Sequence, residues 1–201
     1  YPPALLGQAQ LAASQGDLPG ALALAESALA NSPTLADGWQ VKGEILVAQG
    51  QIETALAAYR KALEVKPDRL TARYMIVTLL MRQGKTEEAG KEFAAMKKIA
   101  PNNAQTLYLQ ALLAYRDKDL AAARDAIQLH LKAAPGNLTG VLLGAQIDYQ
   151  LQSYAMAETA LDTVLQRAPK NVQARQLLVQ THLRKGRPGK ALEVLQPLLQ
   201  E

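Results

Sequence analysis

Apolar residues along the chain recur at intervals of three and four, the spacing that collects side chains on one face of an α-helix. Ile52, Ala55, Tyr59, Ala62 and Leu63 form the clearest such stripe. A longer period lies over this short one. Pro33, Pro67, Pro101, Pro135 and Pro169 stand 34 residues apart without one insertion, and Ala21, Ala55, Ala89, Ala123, Ala157 and Ala191 keep the same period. Two residue types in register along the whole chain define an internal repeat. With each proline set at position 32, the units are 2–35 (degenerate), 36–69, 70–103, 104–137, 138–171 and a truncated 172–201.

Each unit predicts two helices. The first covers roughly positions 1 to 14, and Gly16, Gly50, Gly84 and Gly186 follow at position 15, where a helix end needs backbone freedom. Asp17, Asp119 and Ser153 come next as N-caps of the second helix, with Pro19 and Pro188 at or beside its start. The stripe at positions 17, 20, 24, 27 and 28 belongs to that helix, and the proline at position 32 stops it. Asn103, Asn137 and Asn171 then cap the next hairpin.

Small residues have a steric meaning here. Alanine at position 20, together with Ala9, Gly43, Ala111 or Ala145 at position 8, lets the two helices of a hairpin approach closely. One hairpin cannot bury its own apolar face, so stability comes from stacking neighbours. The expectation is an all-α protein, an α-α superhelix of about six 34-residue hairpins in one continuous domain. Tyr1 in place of an initiator Met and the short last hairpin suggest a fragment of a longer protein.

Composition narrows the function. Half of the 201 residues are apolar, mostly Ala and Leu, while aromatics make up only 4%. The net charge of +4 is spread out, unlike the dense basic stripe interleaved with aromatics that a nucleic-acid surface needs, so no nucleic-acid partner is expected. There is no cysteine, hence no disulfide framework and no thiolate metal site. No apolar run approaches the length needed to cross a bilayer.

No catalytic motif is present: no nucleophile elbow, no paired zinc histidines, no phosphate loop. The expectation is a protein that is not an enzyme, with no cofactor and no metal. Gly140 and Gly144 read as a helix-packing pair, and His130, aligned with Ala28 and Ala62, as a packed histidine. Asp148 and His182 share position 11 of adjacent repeats, which predicts a partly buried pair between them. Leu195, Leu198 and Leu199 predict an uncapped apolar end able to stack between molecules.

The 34-residue period, with Trp39, Gly43, Leu46, Ala55, Tyr59, Ala62 and Pro67 at signature positions, resembles the tetratricopeptide repeat (TPR) family. Arg73 and Arg175 depart from its pattern at position 4, as do Asp148 and His182 at position 11, which bears on what can be said of local packing there and not on the fold. The resemblance implies a right-handed superhelix whose first helices line a concave groove through positions 2, 5, 9, 12 and 13. On that basis Tyr74, Thr78, Met81, Arg82, Tyr108, Leu112, Tyr115, Arg116, Gln146 and Tyr149 are the candidate ligand-binding residues. Tyrosine and arginine are the types that carry interface energy. The Lys and Asn of the family's carboxylate clamp are missing from these places.

Residues 104–116 and 172–199, with Tyr108-Leu109-Gln110-Ala111 and Gln196-Pro197-Leu198-Leu199, more narrowly resemble the TPR lipoproteins encoded with exosortase (PEP-CTERM) systems, the PrsT-like group. That likeness implies a scaffold on the periplasmic side of the outer membrane, tied to it by a lipid anchor outside this chain and serving exopolysaccharide export or PEP-CTERM protein sorting. A cytoplasmic location is the alternative. The expected partner is a protein or peptide segment held in the groove. Direct binding of exopolysaccharide, or service as the targeting domain of a larger enzyme, are the alternatives.

Overall fold

The computed structural model describes residues 1–199, with side chains described over 1–196. Among them all regular structure is helical, in twelve helices. The first helices of the hairpins are α1 (Pro2–Ser14), α3 (Ala36–Ala48), α5 (Leu70–Arg82), α7 (Ala104–Arg116), α9 (Leu138–Gln150) and α11 (Val172–Arg184). The second helices are α2 (Leu18–Asn31), α4 (Ile52–Val65), α6 (Thr86–Ile99), α8 (Leu120–Ala133), α10 (Tyr154–Arg167) and α12 (Pro188–Leu199). The two kinds begin at positions 1 and 17 of the 34-residue period throughout.

Local chemistry sets these ends. Asp17, Asn103, Asp119, Asn137 and Asn171 each accept a hydrogen bond from a backbone N–H of the first turn that follows. Ser153, the expected sixth cap, makes no such side-chain bond. Each second helix from α2 to α10 ends two residues before a proline, and the residue between has extended φ, from −136° to −149°. The proline ring excludes the helical conformation there. Gly16, Gly50, Gly84 and Gly186 turn the chain with positive φ, and Lys118 and Gln152 do so without being glycine.

The chain divides into two compact units, residues 1–101 and 102–201. In the first, α1 to α6 pack as hairpins, with α2 on α3 and α4 on α5. Ala9, Ala21, Ala25, Ala28, Val41 and Ile45 form one of its cores. Tyr59 is fully buried in the same unit, with its ring against the bare Cα of Gly43. In the second unit α8 packs on α9, α10 on α11, and α9 touches both α7 and α11. Two clusters fill it, one around Ala111, Ala123, Ile127 and Ile147 and one around Leu142, Leu161, Val164 and Leu178. No described helix is long and apolar enough to cross a membrane.

The arginines at position 4 make the same contact as the tryptophan of the family pattern. Trp39 Nε1 donates to the carbonyl of Pro33 at 2.8 Å, Arg73 Nη2 to that of Pro67 at 3.0 Å, and Arg175 Nη2 to that of Pro169 at 2.6 Å. Indole and guanidinium both offer a planar N–H donor, so both satisfy the same turn carbonyl. Of the apolar end, Leu195 is half-buried and Leu192 exposed, while the side chains of Leu198 and Leu199 lie outside the described residues.

Candidate functional site

In the second unit the first helices α7, α9 and α11 lie in sequence, with α9 touching both of the others. Residues three, four and seven apart share one helix face, so Gln146, Tyr149 and Gln150 come together on α9, and Gln173, Gln176, Leu177 and Gln180 on α11. With Tyr115 from the last turn of α7 they line one open cleft of about 240 Å³. A depression of about 480 Å³ shares Tyr115 and Gln150 with it and adds Arg116, Lys118 and Leu120. Another, of about 500 Å³, shares Tyr149 and Gln180 and adds Leu183 and Arg184.

The tyrosines are held, and their faces are only partly covered. Tyr149 meets the edge of Tyr154 at 5.5 Å between ring centroids, and its hydroxyl accepts a long bond of 3.4 Å from Arg184 Nε. Tyr115 packs half-buried against the core around Ile147. Each of the five glutamines of the cleft brings two N–H donors and one carbonyl acceptor. The lining is therefore neutral, donor- and acceptor-rich, and backed by two aromatic rings. Among the described residues no group of three or more metal-ligating side chains exists. Nothing here supplies a nucleophile with a base beside it.

The candidates named from sequence fall into three sets. Tyr115, Gln146 and Tyr149 meet in the cleft, and Arg116 stands at its α7 end. Tyr108 lies tilted against His130 at 5.4 Å, and both it and Leu112 pack onto the core around Ile127, so these two side chains serve the interior. Tyr74, Thr78, Met81 and Arg82 belong to α5 of the first unit. There Tyr74 is half-buried, which pushes its phenol above the usual range, and the Thr78 hydroxyl donates to the Tyr74 backbone carbonyl at 2.6 Å. Gln150, Gln173, Gln176 and Gln180 hold groove positions 13, 2, 5 and 9 of their repeats but were not among the ten candidates, while Leu177 stands at position 6, outside the groove positions.

The expected Asp148–His182 pair is not formed. Asp148 faces Arg124 instead, at 3.1 Å, because α8 packs on α9 and delivers the guanidinium to that side. Burial pushes the Asp148 carboxyl up, and Arg124 pulls against this. His182 is buried near Glu158, whose carboxylate is held low by Lys185, with His182 and Arg187 adding to the effect. His130 is packed as expected: its Nδ1 lies 2.8 Å from the Ala104 carbonyl, and its ring fills the space a side chain at Gly140 would need. Gly144 differs, since a Cβ there would meet Ile127 and Leu131 at an ordinary 3.8 Å.

Comparisons with known proteins bear on this architecture. The family described as "Cytochrome c-type biogenesis protein H TPR domain" matches residues 20–141, and two further tetratricopeptide-repeat families match 148–201 and 2–36. No curated protein matches the chain. Among solved structures, the APC/C hetero-tetramer Cut9–Hcn1 superposes with a TM-score of 0.91 at 15% identity, over 98% of this chain and 39% of that one. PilW, a widely conserved type IV pilus biogenesis factor, gives 0.83 at 17% identity, over 98% and 91%. A tetratricopeptide repeat protein from Parabacteroides merdae gives 0.72 at 18% identity, over 100% and 79%. At such identities these likenesses concern the fold. Since one TPR family covers more than half of the chain and two more take up its flanks, the chain belongs to the tetratricopeptide-repeat family, with the TPR domain of cytochrome c-type biogenesis protein H matching its central 20–141.

Proposed function

We propose that this chain is a non-enzymatic scaffold that holds an extended segment of a partner protein across α7, α9 and α11. The observation that carries the reading is the cleft of five glutamines and two tyrosines. An extended peptide presents N–H and C=O groups along both edges, and amide side chains answer both kinds. Tyrosine adds flat contact area at low entropic cost. Protein binding also suits the TPR family, whose members matched here include a pilus biogenesis factor and a component of a hetero-tetramer.

The setting we propose is exopolysaccharide export or PEP-CTERM protein sorting at the periplasmic face of an outer membrane. Its support is the resemblance of residues 104–116 and 172–199 to the PrsT-like lipoproteins. The test selects peptides from a displayed library on the wild-type chain and measures them by calorimetry against Gln146→Ala/Gln176→Ala/Gln180→Ala. Selected peptides should weaken at least about fivefold in the variant while its melting temperature holds, since each lost hydrogen bond costs about 1 kcal/mol. Unchanged binding would remove the cleft from the interaction. Heat on titrating extracted exopolysaccharide, with none from any peptide, would favour sugar recognition instead.

A further inference from the structure

The two tyrosines of the cleft are one repeat apart. Tyr115 of α7 and Tyr149 of α9 both hold position 12, and the two helices touch. Packed helix axes lie about 8–10 Å apart, so equivalent positions on neighbouring first helices recur at about that interval. The step of a bound chain depends on its conformation. One turn of polyproline II, three residues long, advances about 9 Å. A β-strand returns to the same face every two residues, about 6.7 Å. An α-helix rises about 5.4 Å per turn. The polyproline step is the one that matches the tyrosines.

The lining agrees with that step. Backbone groups within helices are bonded to one another, so no sheet edge is offered for strand addition. Leu177 is the one aliphatic side chain lining the cleft, too little for the apolar face of a docking helix. Charge is mixed at the α7 end, where Arg116, Asp117 and Lys118 follow one another. The cleft does present two tyrosine rings and the amides of exposed Gln150, Gln173, Gln176 and Gln180. Polyproline II leaves its carbonyls without internal partners, and glutamine N–H groups donate to such carbonyls. On the reading that this cleft holds a polypeptide, we propose that the bound segment is proline-rich and lies in polyproline II conformation, with prolines three residues apart seated on Tyr115 and Tyr149. Aromatic faces give a proline ring flat apolar contact, and a preformed backbone loses little entropy on binding. Both tyrosines also serve packing, Tyr115 against the core around Ile147 and Tyr149 against Tyr154. Packing alone predicts lost stability on substitution and no dependence on a ligand's proline spacing, which separates it from the proposal.

Three fluorescein-labelled peptides of about twelve uncharged residues test this. One repeats Pro-Gln-Ser, one holds the same residues with no two prolines three apart, and one has Ala in place of every Pro. Anisotropy is read on the wild type, on Tyr115→Leu/Tyr149→Leu, which keeps apolar bulk without the flat faces, and on Gln146→Ala/Gln176→Ala/Gln180→Ala. The regular peptide should bind the wild type about tenfold tighter than either twin and lose that advantage in the tyrosine variant. Its proline ring protons should also move upfield in the NMR spectrum on binding the wild type, a ring-current effect that needs no variant to fold. Equal binding of the regular and scrambled peptides, or proline signals that stay in place in a bound peptide, would overturn the polyproline assignment. If binding ignored proline spacing yet fell in the glutamine variant, the peptide cleft would stand and only the polyproline assignment would fall. If neither variant weakened any peptide, the peptide reading itself would fall. A neutral cello-oligosaccharide binding through Tyr115 and Tyr149 where no peptide bound would overturn it in favour of a sugar.

Discussion

Position 15 of each hairpin takes the chain through the left-handed backbone region, with φ from +60° to +87°. Four repeats place glycine there; Lys118 and Gln152 bear the steric cost of a Cβ, about 1–2 kcal/mol. Glycine gives back part of the gain through its freer unfolded chain. Gln152→Gly should therefore stabilise the protein by up to about 1 kcal/mol, read as a higher urea midpoint. A lower midpoint would show that contacts of the Gln152 side chain outweigh backbone strain. Asp148 makes a second case. Burial raises its carboxyl above the ordinary range, so the folded state holds the proton more tightly than the unfolded chain. Stability is then lost as pH rises through that range. Asp148→Asn should melt higher than the wild type at pH 7, with the difference vanishing below the carboxylate range. A variant that melts lower at pH 7 would show that attraction to Arg124 exceeds the cost of burial.

Between elements, close approach depends on trading bulk across a contact. Tyr59 of α4 is accommodated because position 43 of α3 is glycine: an added Cβ there would meet the ring at 2.8 Å. His130 of α8 is matched in the same way by Gly140 of α9, where a Cβ would meet the imidazole at 2.5 Å. The ring has little room to retreat, since it is held at the Ala104 carbonyl and against Tyr108. Gly140→Ala should destabilise by about 1–3 kcal/mol despite the better helix propensity of alanine. Adding His130→Ala should recover most of that loss relative to His130→Ala alone, since the clash needs both groups. A double-mutant cycle without coupling would locate the strain elsewhere.

At the scale of the molecule, each unit buries apolar side chains of its own, as stacked hairpins do. Within the second unit α9 is flanked by α7, α8, α10 and α11, and it buries Leu142, Leu143, Ala145 and Ile147. The backbone of α9 should thus open least often, and its amides should exchange more slowly than those of α12, where Leu192 is exposed. Hydrogen exchange followed by mass spectrometry reads this directly. Faster exchange in α9 than in α12 would contradict the packing order.

Much of this was legible from the residues alone because it is local. The proline and alanine periods predicted where helices start and stop, since a proline ring, a capping Asn and a left-handed turn act within a few bonds of the backbone. The resemblance to the tetratricopeptide repeat, applied position by position, also put Tyr115, Gln146 and Tyr149 at groove positions. Tertiary structure decided what spacing within one helix cannot, namely which residues of different helices meet. It turned Asp148 to Arg124 and away from His182, because the contact of α8 with α9 follows the packing of side chains and not the repeat count. It set Tyr108 on His130 while leaving Tyr115 in the cleft, although both lie on α7. It also let Arg73 and Arg175 do the work of Trp39, because the turn carbonyl asks only for a planar donor.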